Sequence, residues 1–175
     1  IICHNAINKA VKLDKLVDPA TILNNVNEHI RNEFSDGQKR ISDGMDISIC
    51  CFNRTTHQLK WAGANLPLWI IRQNELIEFK PDKQPIGNYV TNREFTTHTI
   101  DLVENDSIYL FSDGYADQFG GEHGKKLSRK QFQQMILEHN SNNLSTVMIS
   151  LKKAFETWKG NNEQVDDITI LGVKF

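Results

Sequence analysis

Cysteine is scarce in this chain: three among 175 residues, at Cys3, Cys50 and Cys51. Two are neighbours in an apolar run and would point to opposite faces of one strand, so the three do not form a disulfide framework. A reducing, cytoplasmic setting fits them best. The six histidines are scattered, with no H-x-x-H or C-x-x-C spacing, which argues against a zinc site. No apolar run approaches the ~18 residues that a membrane-spanning helix needs. A large excess of positive charge is also lacking. Lys and Arg number 20 against 22 Asp and Glu, the net charge is −2 and the pI about 6.3. That balance leaves no electrostatic footprint for nucleic acid. A start signal is missing too. "IICHNAINKAVKL" has no Met, no leader pattern and no capping residue, and reads as a helix already under way. The chain is therefore expected to be part of a longer protein.

What is present is enough for one core, with 39% hydrophobic and 24% charged residues. Ile2, Ala6, Ile7, Ala10 and Val11 have helical spacing. "DPATILNNVNEHIRNEF" predicts a second helix, capped by Asp18 with Pro19 at its first position, and Ile22, Leu23, Val26, Ile30 and Phe34 as its stripe. From Met45 the period changes to that of strands. "MDISICCFN", the turn "RTTH" and "QLKWAGA" predict a hairpin; "LPLWIIR" and "ELIEFK" predict another, around "QN". "PDKQPIGNY" is read as a loop. "FTTHTIDL" and "DSIYLFS" predict two more strands with "VEND" as the turn between them. "SRKQFQQMILEH" and "LSTVMISLKKAFETWKG" predict amphipathic helices capped by Ser128 and Ser145, and "DITILGVKF" a closing strand. Helices segregated from runs of strands argue for an α+β fold.

The chemistry concentrates where strands end. Asp113 closes "IYLFSD", the most apolar strand; Asp166 and Asp167 open the last one. Each alone is ordinary turn or cap chemistry. Brought together, such carboxylates repel, and a hard divalent cation such as Mg2+ or Mn2+ resolves the conflict, taking a few carboxylate oxygens and keeping several waters. Gly114 permits a positive φ or a close backbone approach at that point.

The order "DGMDISIC", "LKWAGANLPLWIIR", "KPDKQPIG", "FSDGYADQFGG" and "DDITILGVKF" resembles the metal-dependent Ser/Thr protein phosphatases, over about the whole chain. Within them it is similar to the bacterial branch typified by stage II sporulation protein E and by phosphatases of partner-switching sigma-factor control. The resemblance implies an antiparallel β-sandwich flanked by helix pairs in α-β-β-α layers, a single domain over residues 1–175 whose N-terminal strands precede Ile1. It implies a centre of two Mn2+ or Mg2+ ions. Asp113 and Asp166 match the family's metal-binding aspartates, with Gly114 and Asp167 as neighbours at the metal, and Thr169 as a structural threonine. The family's first metal motif would lie upstream. The implied substrate is a phosphorylated anti-sigma-factor antagonist, and an upstream sensor or receiver domain, which would also carry any membrane tether, is expected. An uncovered sheet edge would favour a homodimer.

Other residues keep two readings. Asp117 either reaches a metal through water or caps a turn. Asp43 and Asp46 either edge a phosphate cleft or serve a turn and a strand border. Gly63, Asn65 and Pro67 suggest a bulge or kink. Trp61, Trp69 and Trp158 read as core or interface anchors. Lys125, Lys126, Arg129 and Lys130 form a short basic face, either merely solvated or meeting an acidic or phosphorylated partner. No histidine is assigned as general acid. The alternative to an enzyme is a phosphatase-like module that docks partners or dimerises with an incomplete metal site.

Overall fold

A computed structural model describes residues 2–35, 44–87, 93–140 and 143–175. Helix α1 (Ile2–Asn8) runs on into a π-helical segment (Lys9–Leu13), and α2 (Pro19–Ser35) follows. Then come strands β1 (Gly44–Met45), β2 (Ile47–Asn53), β3 (Gln58–Ala64), β4 (Leu68–Arg72), β5 (Glu75–Phe79), β6 (Ile86–Gly87), β7 (His98–Asp101) and β8 (Ser107–Phe111). After them are α3 (Gly114–Asp117), β9 (Phe119–Gly120), β10 (Lys125–Lys126), α4 (Arg129–Glu138), α5 (Leu144–Lys159) and β11 (Ile170–Lys174). The chain is mixed α+β, with every paired strand ladder antiparallel, as expected. Among the described residues no helix is long and apolar enough to cross a membrane. The chain divides into two compact units, Ile1–Leu68 with Phe79–Leu102, and Trp69–Glu78 with Val103–Phe175.

The first unit is built on α2. Asp18 caps it as the sequence predicts: its Oδ1 accepts the Thr21 N–H and the Thr21 hydroxyl, each at 3.1 Å. Ile22, Leu23, Val26 and Ile30 are buried against Ala6 and Ala10 of the first helix and Ala62 and Ala64 of β3. Alanines on both sides let the backbones approach closely, and full burial of each branched side chain contributes about 1.5–3 kcal/mol. The sheet has the order β2-β3-β7. Cys51 lies on its helix-facing side with Ile47 and Ile49, and Cys50 therefore on the other, opposite Trp61. Burial pushes the Cys50 thiol up to about 12, so it behaves as an inert apolar side chain. Trp61 is fully buried, and its indole N–H donates to Ser48 Oγ at 2.6 Å.

Polar side chains of α2 hold the loop that follows. Asn27 Oδ1 accepts the Gly87 N–H at 2.8 Å and Asn24 Oδ1 the Phe95 N–H at 3.0 Å. Within that loop Gln84, 5% exposed, donates to the Arg93 carbonyl and accepts the Arg93 N–H, standing in for a strand partner. The loop also contains β6, paired with β1, which the sequence reading did not expect. The "VEND" segment forms the predicted turn, with the Asp106 N–H donating to the Val103 carbonyl at 3.1 Å, but the strands on either side do not pair with each other. β7 pairs with β3, whereas β8 belongs to a different sheet, so this segment carries the chain from one sheet to the other.

The second unit holds a sheet of order β11-β8-β4-β5. Gln73 and Asn74 both have positive φ, 49° and 63°, the two-residue loop that matches hairpin twist. Trp69, Ile71, Tyr109 and Phe111 form one core with Phe132, Ile136, Val147, Leu151 and Phe155 from α4 and α5. The Trp69 ring centroid lies 4.1 Å from that of Phe111 and 5.1 Å from that of Phe132, and its N–H donates to Glu78 at 2.8 Å. Asp106, 1% exposed, accepts two bonds from the Arg72 guanidinium and one from the Val103 N–H. Ser128 caps α4 as predicted, but α5 is capped by Asn143, whose side chain accepts the N–H groups of Ser145 and Thr146. Ser145 is thus inside the helix; asparagine two residues earlier is an equally good cap and won.

Burial raises the pKa of Asp18, but the hydrogen bonds from Thr21 and Thr97 and the charge of Lys60 outweigh it, leaving the carboxyl below its ordinary 3.8. Its contribution is therefore complete above 3.8 and lost as pH falls through the lower, folded value. Asp18→Ala is expected to cost about 1 kcal/mol at neutral pH. In urea titrations the gap to wild type should close in strong acid; a gap independent of pH would contradict this.

Candidate metal centre

β8 and β11 are antiparallel, and their ladder ends with Phe111 opposite Ile170. The chain leaving β8 and the chain entering β11 thus stand at the same end of the sheet. They are tied there beyond the ladder. The Ser112 N–H donates to the Thr169 carbonyl at 3.0 Å. The Ser112 hydroxyl donates to the Asp167 carbonyl at 2.9 Å and accepts the Thr169 N–H at 3.0 Å. Thr169 therefore enters through its backbone, as part of the clamp.

Asp113 follows this clamp and precedes α3, with its own carbonyl accepting the Asp117 N–H at 3.0 Å. Its exposed carboxylate makes no capping bond to that helix. Gly114 is buried and is not among the residues with positive φ, so backbone freedom is not its reason. Space is: a Cβ there would stand 2.5 Å from the Asp167 carbonyl oxygen. The carboxylates of Asp166 and Asp167 are exposed as well. Asp166 Oδ1 accepts the Asp167 N–H at 2.7 Å, and Gln164 donates to the Asp166 carbonyl at 2.8 Å. Among the described residues none of these three carboxylates has an ion-pair partner.

The donor set is all hard oxygen, open to solvent, on segments fixed by the clamp. It suits a Mg2+ or Mn2+ ion that keeps much of its water. Among the described residues no three metal-ligating side chains cluster closely enough to cage an ion. The residues present are of a kind that fits a hydrated cation at this end, and a full cage would need further donors.

The other acidic candidates are spoken for or lie apart. Asp117 is paired with Lys126 at 2.8 Å, both side chains about half exposed. Asp46 accepts the Asn65 side-chain N–H at 2.8 Å, and Asn65 carries a φ of 61° at the predicted kink. Asp43 lies outside the described residues. A groove of about 790 Å3, lined by Val11, Val17, Ile49 and Phe52 among others, contains none of these aspartates and is a surface feature of the first unit. Sequence reasoning passed over Ser112, a hydroxyl at a strand end facing the opening residues of another strand. It also passed over Gln118, which is fully buried. Gln118 accepts the Val165 N–H and donates to the carbonyls of Phe119 and Glu163, holding the approach to Asp166.

Gly114→Ala must shift the backbone of Asp167, and overpacking of this kind costs about 1–3 kcal/mol. Denaturant midpoints should fall accordingly; an unchanged midpoint would mean that the two segments are not held together as described.

Residues 2–175 match the family model described as stage II sporulation protein E. No curated protein compared with the chain matches it. Among solved structures the chain is similar to the SiaA-PP2C domain of Pseudomonas aeruginosa, with 28% identity and a TM-score of 0.90 over 99% of this chain and 68% of that one. It is similar in fold to the PP2C phosphatase domain, with a fragment of the regulatory domain, of the cell-fate determinant SpoIIE from Bacillus subtilis: 14% identity, TM-score 0.74, 98% of this chain and 49% of that one. The same holds for RsbX in complex with magnesium: 21% identity, TM-score 0.59, 97% of this chain and 71% of that one.

Proposed function

The chain belongs to the stage II sporulation protein E family of PP2C-type phosphatase domains, and from that premise we propose that it forms most of the reaction domain of a metal-dependent protein phosphatase. Its substrate is phosphoserine or phosphothreonine on a bacterial signalling protein of the anti-sigma-factor antagonist class. The observation that carries the reading is the clamp of Ser112 on Asp167 and Thr169, which sets Asp113 and Asp166 at one end of one sheet. The magnesium complex of RsbX supports the choice of ion.

In this reading Asp113 and Asp166 hold the cation, with Asp167 beside them. When bound, two such ions would activate water for in-line attack and offset the charge of the phosphate. The role of the aspartates is charge and position, not proton transfer. Asp113 is placed by the end of β8; Asp166 stands in the irregular segment before β11, which Gln164 and Gln118 hold through hydrogen bonds. The Ser112 hydroxyl serves the clamp, donating to the Asp167 carbonyl and accepting the Thr169 N–H, and has no part in the reaction in this reading. No covalent phosphoenzyme is needed.

The intact protein is expected to require Mn2+ or Mg2+. Asp113→Asn or Asp166→Asn should lower turnover by about 100-fold, the scale of losing one electrostatic group at a reaction centre. An assay on p-nitrophenyl phosphate with and without chelator decides; full rate in chelator, or in either variant, would overturn the reading. Because no three metal-ligating side chains cluster among the described residues, the 175-residue chain assayed alone should turn over slowly even in excess Mn2+. A rate matching the intact protein would show that donors within this chain complete the centre. Loss of rate in the intact protein as well would favour a docking module.

A further inference from the structure

We propose that Lys125, Arg129 and Lys130 form the docking surface for an acidic segment flanking the phosphorylated residue of the protein substrate. This rests on the phosphatase reading above. It adds what that reading lacks, a basis for substrate choice.

The chain as a whole is slightly acidic, yet residues 121–130 hold four cations against one carboxylate, Glu122. The four are not equivalent. Lys126 is consumed: its Nζ lies 2.8 Å from Asp117 Oδ2 and 5.9 Å from the Phe119 ring centroid. Lys125, Arg129 and Lys130 are exposed, and among the described residues none has an ion-pair partner.

These three sit on a fixed surface. β9 and β10 pair in register, Lys125 opposite Gly120 and Lys126 opposite Phe119. Leu127 is fully buried, its N–H donates to the Gln118 carbonyl, and the Ser128 N–H donates to the Ala116 carbonyl, both at 2.9 Å. Trp158 closes the other side, its indole N–H on the Gln118 carbonyl at 3.1 Å and its own carbonyl on the Gly121 N–H at 2.8 Å. A Cβ at Gly120 would collide with the Trp158 backbone, so the hairpin lies hard against α5. The buried side chain of Gln118 then ties the same hairpin to Glu163 and Val165, directly before Asp166.

The hairpin is therefore joined to both halves of the metal centre. Asp113 and Asp117 are separated by one turn of α3, about 6 Å of rise, and Lys126 is anchored on Asp117. The three free cations thus lie on elements fastened to the helix that follows Asp113, in the same compact unit as the candidate metal centre. Arg129 and Lys130 also stand in the first turn of α4, which carries no acidic residue. Cations there oppose the helix dipole, and an anionic partner would relieve that cost. Rim charges of this kind act mainly on encounter rate and on partner choice.

The test compares fluorescent phosphoserine peptides with acidic and with neutral flanks, on the intact protein with Mn2+. The substitutions Lys125→Ser, Arg129→Ser and Lys130→Ser are combined in one variant; all three side chains are exposed, so the fold should be retained. Anisotropy should show tighter binding of the acidic-flank peptide, strongest at low salt. In the variant that binding should weaken by about tenfold, with the neutral-flank peptide and the rate on p-nitrophenyl phosphate unchanged. Equal binding of both peptides by wild type, or the same preference in the variant, would overturn the proposal. So would tighter attachment, through these residues, to phosphatidylserine vesicles or to an oligonucleotide than to the peptide. Failure to hydrolyse p-nitrophenyl phosphate would strike the phosphatase reading alone, since anisotropy still decides the surface.

Discussion

Ser112 joins two parts of the chain 55 residues apart by donating to the Asp167 carbonyl, and it accepts the Thr169 N–H on the same oxygen. Both strands have left the ladder at this level, so without the hydroxyl the two leaving segments would keep one backbone bond between them. The carboxylates of Asp113, Asp166 and Asp167 carry like charge and have no cationic partner among the described residues. Left to electrostatics they would separate. The clamp, with Gly114 allowing the Asp167 carbonyl to lie against α3, opposes that separation and leaves a site that a cation would complete.

The second unit supports this end from behind. Trp69, Tyr109 and Phe111 anchor the sheet against α4 and α5 by aromatic packing that is directional as well as apolar. Gln118 and Trp158 then fasten the hairpin of β9 and β10 and the residues leading to Asp166. Each of these polar groups is buried or nearly so and has a partner, which suits a region that must hold its geometry rather than merely stay folded. In the first unit the same device appears in α2, where Asn24 and Asn27 accept the backbone N–H groups of Phe95 and Gly87.

Much of this was legible before any coordinates. The stripe of α2, the cap at Asp18, the hairpins around "RTTH" and "QN", and the burial of Trp61 and Trp69 follow from periodicity and turn chemistry, which are local. Asp113 and Asp166 stood out because each is a carboxylate at the end of an apolar strand. "VEND" makes the turn its residues predict, but which strands pair is a long-range matter: β7 found β3, and β8 found β4 and β11. The partner of Asp117, Lys126 nine residues on, was likewise not readable from the sequence. Ser145 lost its cap to Asn143 by two residues, within the reach of local competition.

The sequence by itself determined the class of the fold, the helix and strand faces, the hard-oxygen character of the donors and, through the order of its motifs, the family. These depend on residue type and spacing along one stretch of chain at a time. Only the tertiary structure decided that the end of β8 and the start of β11 meet, that Gly114 is required for room and not for a left-handed φ, and that one lysine of the basic face is tied down while its neighbours have no ion-pair partner among the described residues. Those are distances between residues far apart in the chain, set by strand register and by packing that no single stretch contains.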